Sequence, residues 1–213
     1  MITRRRLLLA SIAAPAAFGT PLAAYADDVS DALDKIAAAR ASLKTLVAPF
    51  TQVRQIGLLA SEVKSTGELT LVRPDKLRWE ILPPDSVTYW ILPDGLYMRS
   101  GSHDKAVKAP PNAGKFGAVL GDILAFTGGD LKKLGDRYDL SVPSKDGGIT
   151  LVAVPRAADL KKIVSRIETK TNADYWGVSR VTIEEASGDK SVIDFGPAVR
   201  DGTVDASKMK PPV

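Results

Sequence analysis

The stretch that decides the fold is Gly67-Glu68-Leu69-Thr70-Leu71-Val72-Arg73-Pro74-Asp75-Lys76-Leu77-Arg78-Trp79. Alternating apolar residues on both sides of a Pro-Asp turn predict two strands joined by a tight turn. Because side chains alternate with period two, those on one face of each strand form two apolar rows that end at one arginine. These residues are Leu69, Leu71 and Arg73 on the first strand and Leu77, Trp79 and Ile81 on the second.

Arg73 is the unusual member of this pattern. A guanidinium stays protonated and holds five N–H donors in a rigid fork, so beside an apolar interior it needs acceptors. An arginine before a turn is more commonly a solvated surface residue. The residues alone leave both interpretations open.

The remaining pattern predicts a mainly β protein with helices (α+β). Helical spacing of apolar residues predicts one helix over Asp28–Leu46, where Arg40 is expected to snorkel, and another over Phe116–Phe126. Short alternating segments joined by Gly-, Asn- and Asp-rich turns predict an antiparallel meander between and after the helices. A long sheet curls as its twist accumulates, so we expect an incomplete antiparallel barrel covered by helices. Its concave side could enclose a packed core or an apolar cavity.

The first 26 residues have the pattern of an export signal. A basic start at Thr3–Arg6 precedes an apolar run at Leu7–Phe18, and Ala24-Tyr25-Ala26 fits a cleavage site. The arginine pair before two leucines also fits a twin-arginine signal, so the Sec and twin-arginine routes both stay open. We therefore expect 1–26 to be cleaved and 27–213 to form a single domain in the periplasm.

The charge balance and the lack of cysteine limit the functions that this protein can have. The chain has 29 basic and 25 acidic side chains, and three of the basic ones lie in segment 1–26, so the remainder carries 26 against 25. That balance argues against a nucleic-acid partner. The chain has no cysteine, which excludes disulfides, thiolate metal sites and a cysteine nucleophile.

Catalytic patterns are scarce. Ser102, His103 and Asp104 are sequence neighbours in a polar loop, whereas a triad needs groups brought together by the fold. One histidine does not supply a metal site, and the G-x-x-x-x-G-K-[ST] phosphate loop is missing from the sequence. The sequence therefore predicts no catalytic residue, metal or cofactor.

The order of several short motifs resembles the periplasmic outer-membrane lipoprotein carrier protein family, LolA. The residues that carry this resemblance are Phe50-Thr51-Gln52, Gly67-x-Leu69, Arg73-Pro74-x-x-Leu77-x-Trp79, Asp94-Gly95, Gly202-Thr203-Val204-Asp205-Ala206 and Pro211-Pro212.

This resemblance implies an open barrel with a helical lid, whose apolar cavity accepts lipoprotein acyl chains. It also implies an inner-membrane release complex and an outer-membrane receptor as partners, and a monomer is expected. Arg73 would hold the lid through backbone carbonyls, which we expect in or near Phe116–Gly128. The expected lining residues are Leu69, Leu71, Leu77, Trp79, Ile81, Leu120, Ile123 and Leu124.

Three functions remain open at this stage. The first is a periplasmic carrier that moves lipoprotein, or another amphiphile such as a glycolipid, from the inner to the outer membrane. The second is a lipid- or lipoprotein-sensing module of the envelope that binds without transfer. The third is a small-molecule enzyme on the same scaffold, which is the least supported because catalytic side chains are scarce.

Overall fold

The structure is a computed structural model, and it describes residues 22–57, 61–109, 114–127, 131 and 134–213. Within these ranges the four helices are α1 (Leu22–Ala39), α2 (Gly114–Thr127), α3 (Leu134–Arg137) and α4 (Ala158–Lys161). The strands are β1 (Thr45–Ile56), β2 (Ser61–Val72), β3 (Lys76–Ile81), β4 (Val87–Leu92), β5 (Gly95–Ser100), β6 (Val107–Lys108), β7 (Tyr138–Ser144), β8 (Thr150–Pro155), β9 (Val164–Thr171), β10 (Val178–Glu185), β11 (Lys190–Phe195) and β12 (Val199–Arg200).

The described strands form one antiparallel sheet in the order β6-β5-β4-β3-β2-β1-β11-β10-β9-β8-β7, with β12 paired to the start of β1. The sheet is not closed, because β6 and β7 stand at its two ends. This arrangement confirms the prediction of a mainly β protein built as an incomplete antiparallel barrel. The helices α2 and α3 lie in the chain between β6 and β7, the two edge strands of the sheet.

The long hairpin of β1 and β2 sets the centre of the sheet. Its strands pair over their full length, from Thr45 opposite Val72 to Ile56 opposite Ser61. In β3 the buried residues Leu77 and Trp79 alternate with side chains on the other face, as period two requires. The predicted strand segments later in the chain also form strands, as β7 to β11.

The first helix differs from its predicted span. We expected a helix over Asp28–Leu46, but α1 covers Leu22–Ala39 and β1 begins at Thr45. Leu43 and Leu46 fit the helical stripe by spacing, yet they reach the core from the turn and from β1. Pairing of β1 with β2 satisfies the backbone from Thr45 onward, and this long-range gain overrides the local helical pattern.

The predicted second helix is confirmed as α2, which extends beyond Phe116–Phe126 by two residues at its start and by one residue at its end. Both long helices place side chains in one hydrophobic core with the sheet. Within the described residues, neither these helices nor the short ones combine the length and apolar content needed to span a membrane.

Candidate functional site

The two apolar rows face the interior of the curved sheet. Leu71 lies opposite Leu77, and Leu69 lies opposite Trp79, in the pairing of β2 with β3. These four side chains, and Ile123 of α2, are at most 1% exposed. All five belong to one core cluster.

The other predicted lining residues lie at the margin of this core. Ile81 and Leu124 are partly buried and pack against it. The side chain of Leu120 lies outside the described residues, although its backbone belongs to α2. The structure thus brings together every predicted lining residue whose side chain it describes, while a role of these residues toward lipid stays a prediction.

Side chains of the two long helices occupy the interior of the barrel. Ala32 and Ile36 of α1, and Val119 and Phe126 of α2, are at most 3% exposed and share the core cluster with the sheet. The sequence left open whether the concave side holds a packed core or a cavity. In this structure the two apolar rows are part of a packed core, so a bulky ligand would have to displace a helix to reach them.

An aromatic group reinforces the middle of the core. The rings of Phe50 and Trp79 lie with centroids 4.3 Å apart, and Phe195 packs edge-on to Trp79 at 6.1 Å. Gly67 lies beneath Phe50, because a Cβ added there would meet Phe50 Cζ at 2.1 Å and the carbonyl oxygen of Glu80 at 2.2 Å. The glycine at 67 is therefore required by the close approach of the ring and the neighbouring strand.

Arg73 finds its acceptor in a different place from the one predicted. Its Nη1 donates to the carbonyl oxygen of Arg40, one residue beyond the end of α1. The expectation of an acceptor in or near Phe116–Gly128 is corrected by this contact, since the described acceptor belongs to the end of the first helix. Carbonyls at a helix end lack intrahelical donors, and the turn after β2 supplies one here.

Arg40 itself is buried, whereas the sequence predicted that it snorkels to solvent. Its side chain is 3% exposed, and its Nε donates to the carbonyl oxygen of Trp176 at 3.1 Å. Its Nη1 is buried and has no hydrogen-bond partner among the described residues. Burial, and then the charge of nearby Arg73, lower the pKa of the Arg40 guanidinium to about 10, so it is still charged at neutral pH.

A second polar contact ties α2 to the sheet, and sequence reasoning missed it. Asp122 is 3% exposed. Its carboxylate accepts hydrogen bonds from Arg137 Nη1 and from the Tyr138 hydroxyl, both at 2.5 Å. Burial raises the pKa of Asp122, against the opposing effects of the Tyr138 hydrogen bond and the Arg137 charge. The available signal was one acidic residue inside a mostly apolar helix.

The outer face of the sheet carries a separate polar pocket of about 290 Å³, whose lining includes Glu80, Arg99, His103 and Asp104. Ser102 Oγ lies 3.0 Å from His103 Nδ1, but no contact from His103 to Asp104 is described. The structure therefore does not assemble the three neighbours into a relay. Among the described residues, no group of three or more histidine, cysteine or acidic side chains is placed to hold a metal ion.

The C-terminal segment covers part of the same outer face. The indole N–H of Trp90 donates to the carbonyl oxygen of Lys208 at 2.8 Å. The backbone N–H of Ala106 donates to the carbonyl oxygen of Pro212 at 2.6 Å. Met209, which lies between Lys208 and Pro212 in the sequence, is buried. The C-terminal segment thus packs on the sheet, although it is far in sequence from the strands that it covers.

Comparisons with known proteins bear on the fold. The profile of the family described as outer membrane lipoprotein carrier protein LolA matches residues 41–96, which hold the β1–β2 hairpin and the two apolar rows. A search of curated proteins found no match. The match covers about a quarter of the chain and includes Arg73 and Trp79.

Solved structures share the architecture over most of the chain. A DUF1329 family protein from Desulfovibrio piger superposes with a TM-score of 0.50 at 10% identity, over 85% of this chain and 97% of that one. A LolA superfamily protein from Nitrosomonas europaea gives 0.50 at 11% identity, over 85% and 96%. The MucA/MucB complex of Pseudomonas aeruginosa gives 0.50 at 15% identity, over 86% of this chain and 60% of the matched chain. The protein therefore has a LolA-like open-barrel fold and resembles the outer membrane lipoprotein carrier proteins.

Proposed function

We propose that this protein is a periplasmic carrier that binds the acyl chains of a lipoprotein, or of a related amphiphile, inside its open barrel. It would take this cargo from an inner-membrane release complex to an outer-membrane receptor. The observation that carries the proposal is an apolar interior within an unclosed sheet, covered by two helices that polar contacts hold in place. The export signal and the LolA-like fold support the location and the cargo class.

The energetics of an acyl chain call for such a carrier. Burying one methylene is worth about 0.8 kcal/mol, so a chain of about fifteen methylenes would cost roughly 12 kcal/mol to expose to water. A hydrogen bond to a charged group contributes only about 1.5–3 kcal/mol. In this proposal the contacts made by Arg73 and Asp122 help to hold the helices on the empty barrel, and they are weak enough to yield to an incoming chain.

A crosslink offers a direct test, because the native chain has no cysteine. Lys145 Nζ in the β7–β8 turn lies 3.6 Å from Asp31 Oδ2 of α1, so cysteines at these two positions would face each other. Joining them with a short bismaleimide fixes α1 on the barrel. We expect the crosslinked protein to take up no lipoprotein from spheroplasts, while the same variant without crosslinker takes it up normally.

Mass spectrometry of material that copurifies from the periplasm would then name the cargo. A diacyl or triacyl species bound to the uncrosslinked protein, and missing from the crosslinked one, is the expected result. Equal lipid uptake by both forms contradicts a barrel interior that opens at α1.

A binding module that senses envelope lipids or lipoproteins without transfer is the second candidate. It is favoured by the occurrence of this fold in the MucA/MucB complex, which joins two different proteins. The two candidates differ in one measurement: a carrier releases bound lipoprotein to outer-membrane vesicles, whereas a sensor retains it. An enzyme on this scaffold has less support, since His103 is exposed and makes its described side-chain contact with the adjacent Ser102.

A further inference from the structure

Three arginines meet around the end of α1. Arg40 is buried there, Arg73 donates to the Arg40 carbonyl, and Arg200 lies with its guanidinium carbon 5.5 Å from the ring centroid of Trp176. Trp176 also accepts the Nε–H of Arg40 through its carbonyl oxygen. The cluster therefore gathers positive charge at one end of the barrel, next to the helix that covers the interior.

This charge is only partly compensated by the described residues. Arg200 pairs with Asp201 at 3.4 Å, but no carboxylate of the described chain lies within ion-pair distance of Arg40 or Arg73. The end of α1 contributes about half a negative charge, which is less than the two guanidinium charges facing it. Burial and the Arg73 charge lower the pKa of Arg40, in agreement with a cation short of compensation.

The position of the cluster connects it to the apolar rows. Arg73 follows Leu69 and Leu71 at period two, and side chains of α1 share one core cluster with both rows. An acyl chain lying along the two rows would therefore place its polar end at the arginines. Lifting the end of α1 to admit that chain would also uncover Arg40, because Arg73 holds the backbone of Arg40 itself.

We propose that Arg40 and Arg73 form a binding site for a phosphate-type oxyanion carried by the acylated ligand, at the end of the barrel beneath the last turn of α1. Guanidinium forks match the geometry of oxyanions and bind them through paired N–H donors. The unpartnered Nη1 of Arg40 supplies a donor, and an anion between the two side chains would relieve their mutual repulsion. This inference rests on the proposed lipid-binding function and narrows its cargo to an amphiphile with an anionic headgroup, because the acylated glycerol of a lipoprotein carries no phosphate.

Titration calorimetry with two single-chain amphiphiles below their critical micelle concentrations tests the site. Dodecyl phosphate carries the oxyanion, and dodecyl maltoside carries the same chain with a neutral head. We expect the signal-free protein to bind dodecyl phosphate about tenfold more tightly or better, and Arg40→Met to reduce this preference to about threefold or less. Dodecyl maltoside should bind the two proteins equally.

Arg54→Met is the matched control. Arg54 lies near the other end of β1 and pairs with Glu185 and Asp189 at 3.1 and 3.2 Å, so its loss should leave the preference for dodecyl phosphate unchanged. If Arg40→Met unfolds without cooperativity, Arg40→Lys takes its place. Lysine keeps the charge but lacks the fork, so it should weaken the preference without abolishing it.

The outcomes separate the two proposals. Equal affinity of the wild type for both amphiphiles, or an unchanged preference in Arg40→Met, overturns the oxyanion site and leaves acyl binding intact. Failure of both amphiphiles to bind overturns the proposed function, and the headgroup assignment with it.

Inorganic phosphate, compared with chloride at equal ionic strength, distinguishes a headgroup from a free anion. Stabilisation of the wild type by phosphate, lost in Arg40→Met and without any amphiphile binding, would assign the site to a free anion and contradict a headgroup role. A structural role for Arg40 predicts that Arg40→Met lowers the thermal midpoint in phosphate-free buffer. A buried cation kept for ligand binding predicts an equal or higher midpoint, because the gain from removing an uncompensated buried charge offsets the loss of its hydrogen bond to the Trp176 carbonyl.

Discussion

Arg73 Nη1 donates to the carbonyl oxygen of Arg40, which joins the turn after β2 to the end of α1 across 33 residues of sequence. The same carbonyl also accepts the backbone N–H of Leu43 at 3.1 Å. The end of the covering helix is thus held by a side chain from the wall of the barrel. This contact assigns the end of α1, as well as α2, to the lid of the proposed carrier.

Replacing Arg73 should loosen the end of α1 without unfolding the barrel. Arg73→Leu removes one hydrogen bond to a charged donor, worth about 1.5–3 kcal/mol, so amide exchange at Arg40 and Leu43 should accelerate roughly tenfold to a hundredfold. Hydrogen exchange followed by mass spectrometry measures this change. Onward transfer of bound lipoprotein should fall. Closing of the lid on the empty barrel favours release of the bound chain, and a loosened lid closes less readily.

Lys76→Leu is the control for Arg73→Leu. Lys76 is an exposed residue of the same hairpin, and its replacement should leave exchange in α1 unchanged. Unaltered exchange, lipid uptake and transfer in Arg73→Leu contradict a lid role for this arginine.

The burial of Asp122 predicts a pH dependence of stability with a definite sign. Its pKa is raised above the ordinary value of 3.8, mainly by burial, so the folded protein holds this proton more tightly than the unfolded chain does. Its stabilising contribution is therefore fully present below about pH 3.8 and is lost as the pH rises through the folded-state pKa. The free energy of unfolding of the wild type minus that of Asp122→Asn, both measured in urea, should therefore decrease from acid to neutral pH.

The magnitude follows from the shift, at about 1.4 kcal/mol for each unit of pKa. Asp139→Asn serves as the control, since Asp139 is exposed and pairs with Arg156 at the surface. An Asp122 contribution that grows toward neutral pH would mean that the Arg137 ion pair dominates over burial.

Trp79 tests whether the interior is a packed core in the absence of ligand. Its side chain is fully buried and packs on Phe50 and Phe195, so Trp79→Ala should cost about 3–5 kcal/mol of unfolding free energy. Ile81→Ala, at a partly buried position of the same strand, should cost less. Urea denaturation measures both, and a loss below about 1 kcal/mol in Trp79→Ala would indicate an interior already open to solvent.

Gly67 leaves no room for a side chain. Gly67→Ala would drive a Cβ into the Phe50 ring and into the carbonyl oxygen of Glu80, and the strand cannot shift without breaking its pairing. We expect a loss of about 1–3 kcal/mol, the usual range for overpacking, as a lower midpoint in urea. A neutral Gly67→Ala would show that Phe50 turns away from the strand at little energetic cost.

Gly121 in α2 should respond in the opposite sense. A Cβ added there meets no atom within 4 Å, so Gly121→Ala should stabilise the helix by about 0.5–1 kcal/mol. Amide exchange in α2 should slow accordingly, and lipid uptake should slow if this helix has to move. Faster exchange in α2 would contradict an unhindered position for the new methyl group.

The strands were predictable because their signal is local. Leu69 and Leu71 alternate with polar residues, the Pro-Asp turn follows at once, and Leu77 and Trp79 resume the alternation. The registers that place Leu71 opposite Leu77 and Leu69 opposite Trp79 follow from the length of that turn. The open, antiparallel sheet then follows from many such hairpins in succession.

The end of α1 was not predictable from spacing. Leu43 and Leu46 continue the helical stripe in the sequence, and only the pairing of Thr45 with Val72 shows that a strand has begun. A local pattern permits either element there. The choice depends on a partner residue, Val72, that lies more than twenty residues away in sequence.

By itself, the sequence determined the class of fold, the two apolar rows and the presence of one arginine at their end, because side-chain periodicity and turn chemistry act between near neighbours. The tertiary structure alone decided what Arg73 binds, that Arg40 is buried beside it, and that Asp122 joins α2 to Tyr138. These contacts link polar atoms from distant parts of the chain. Their existence depends on how helices cross the barrel, which hydrophobic periodicity does not specify.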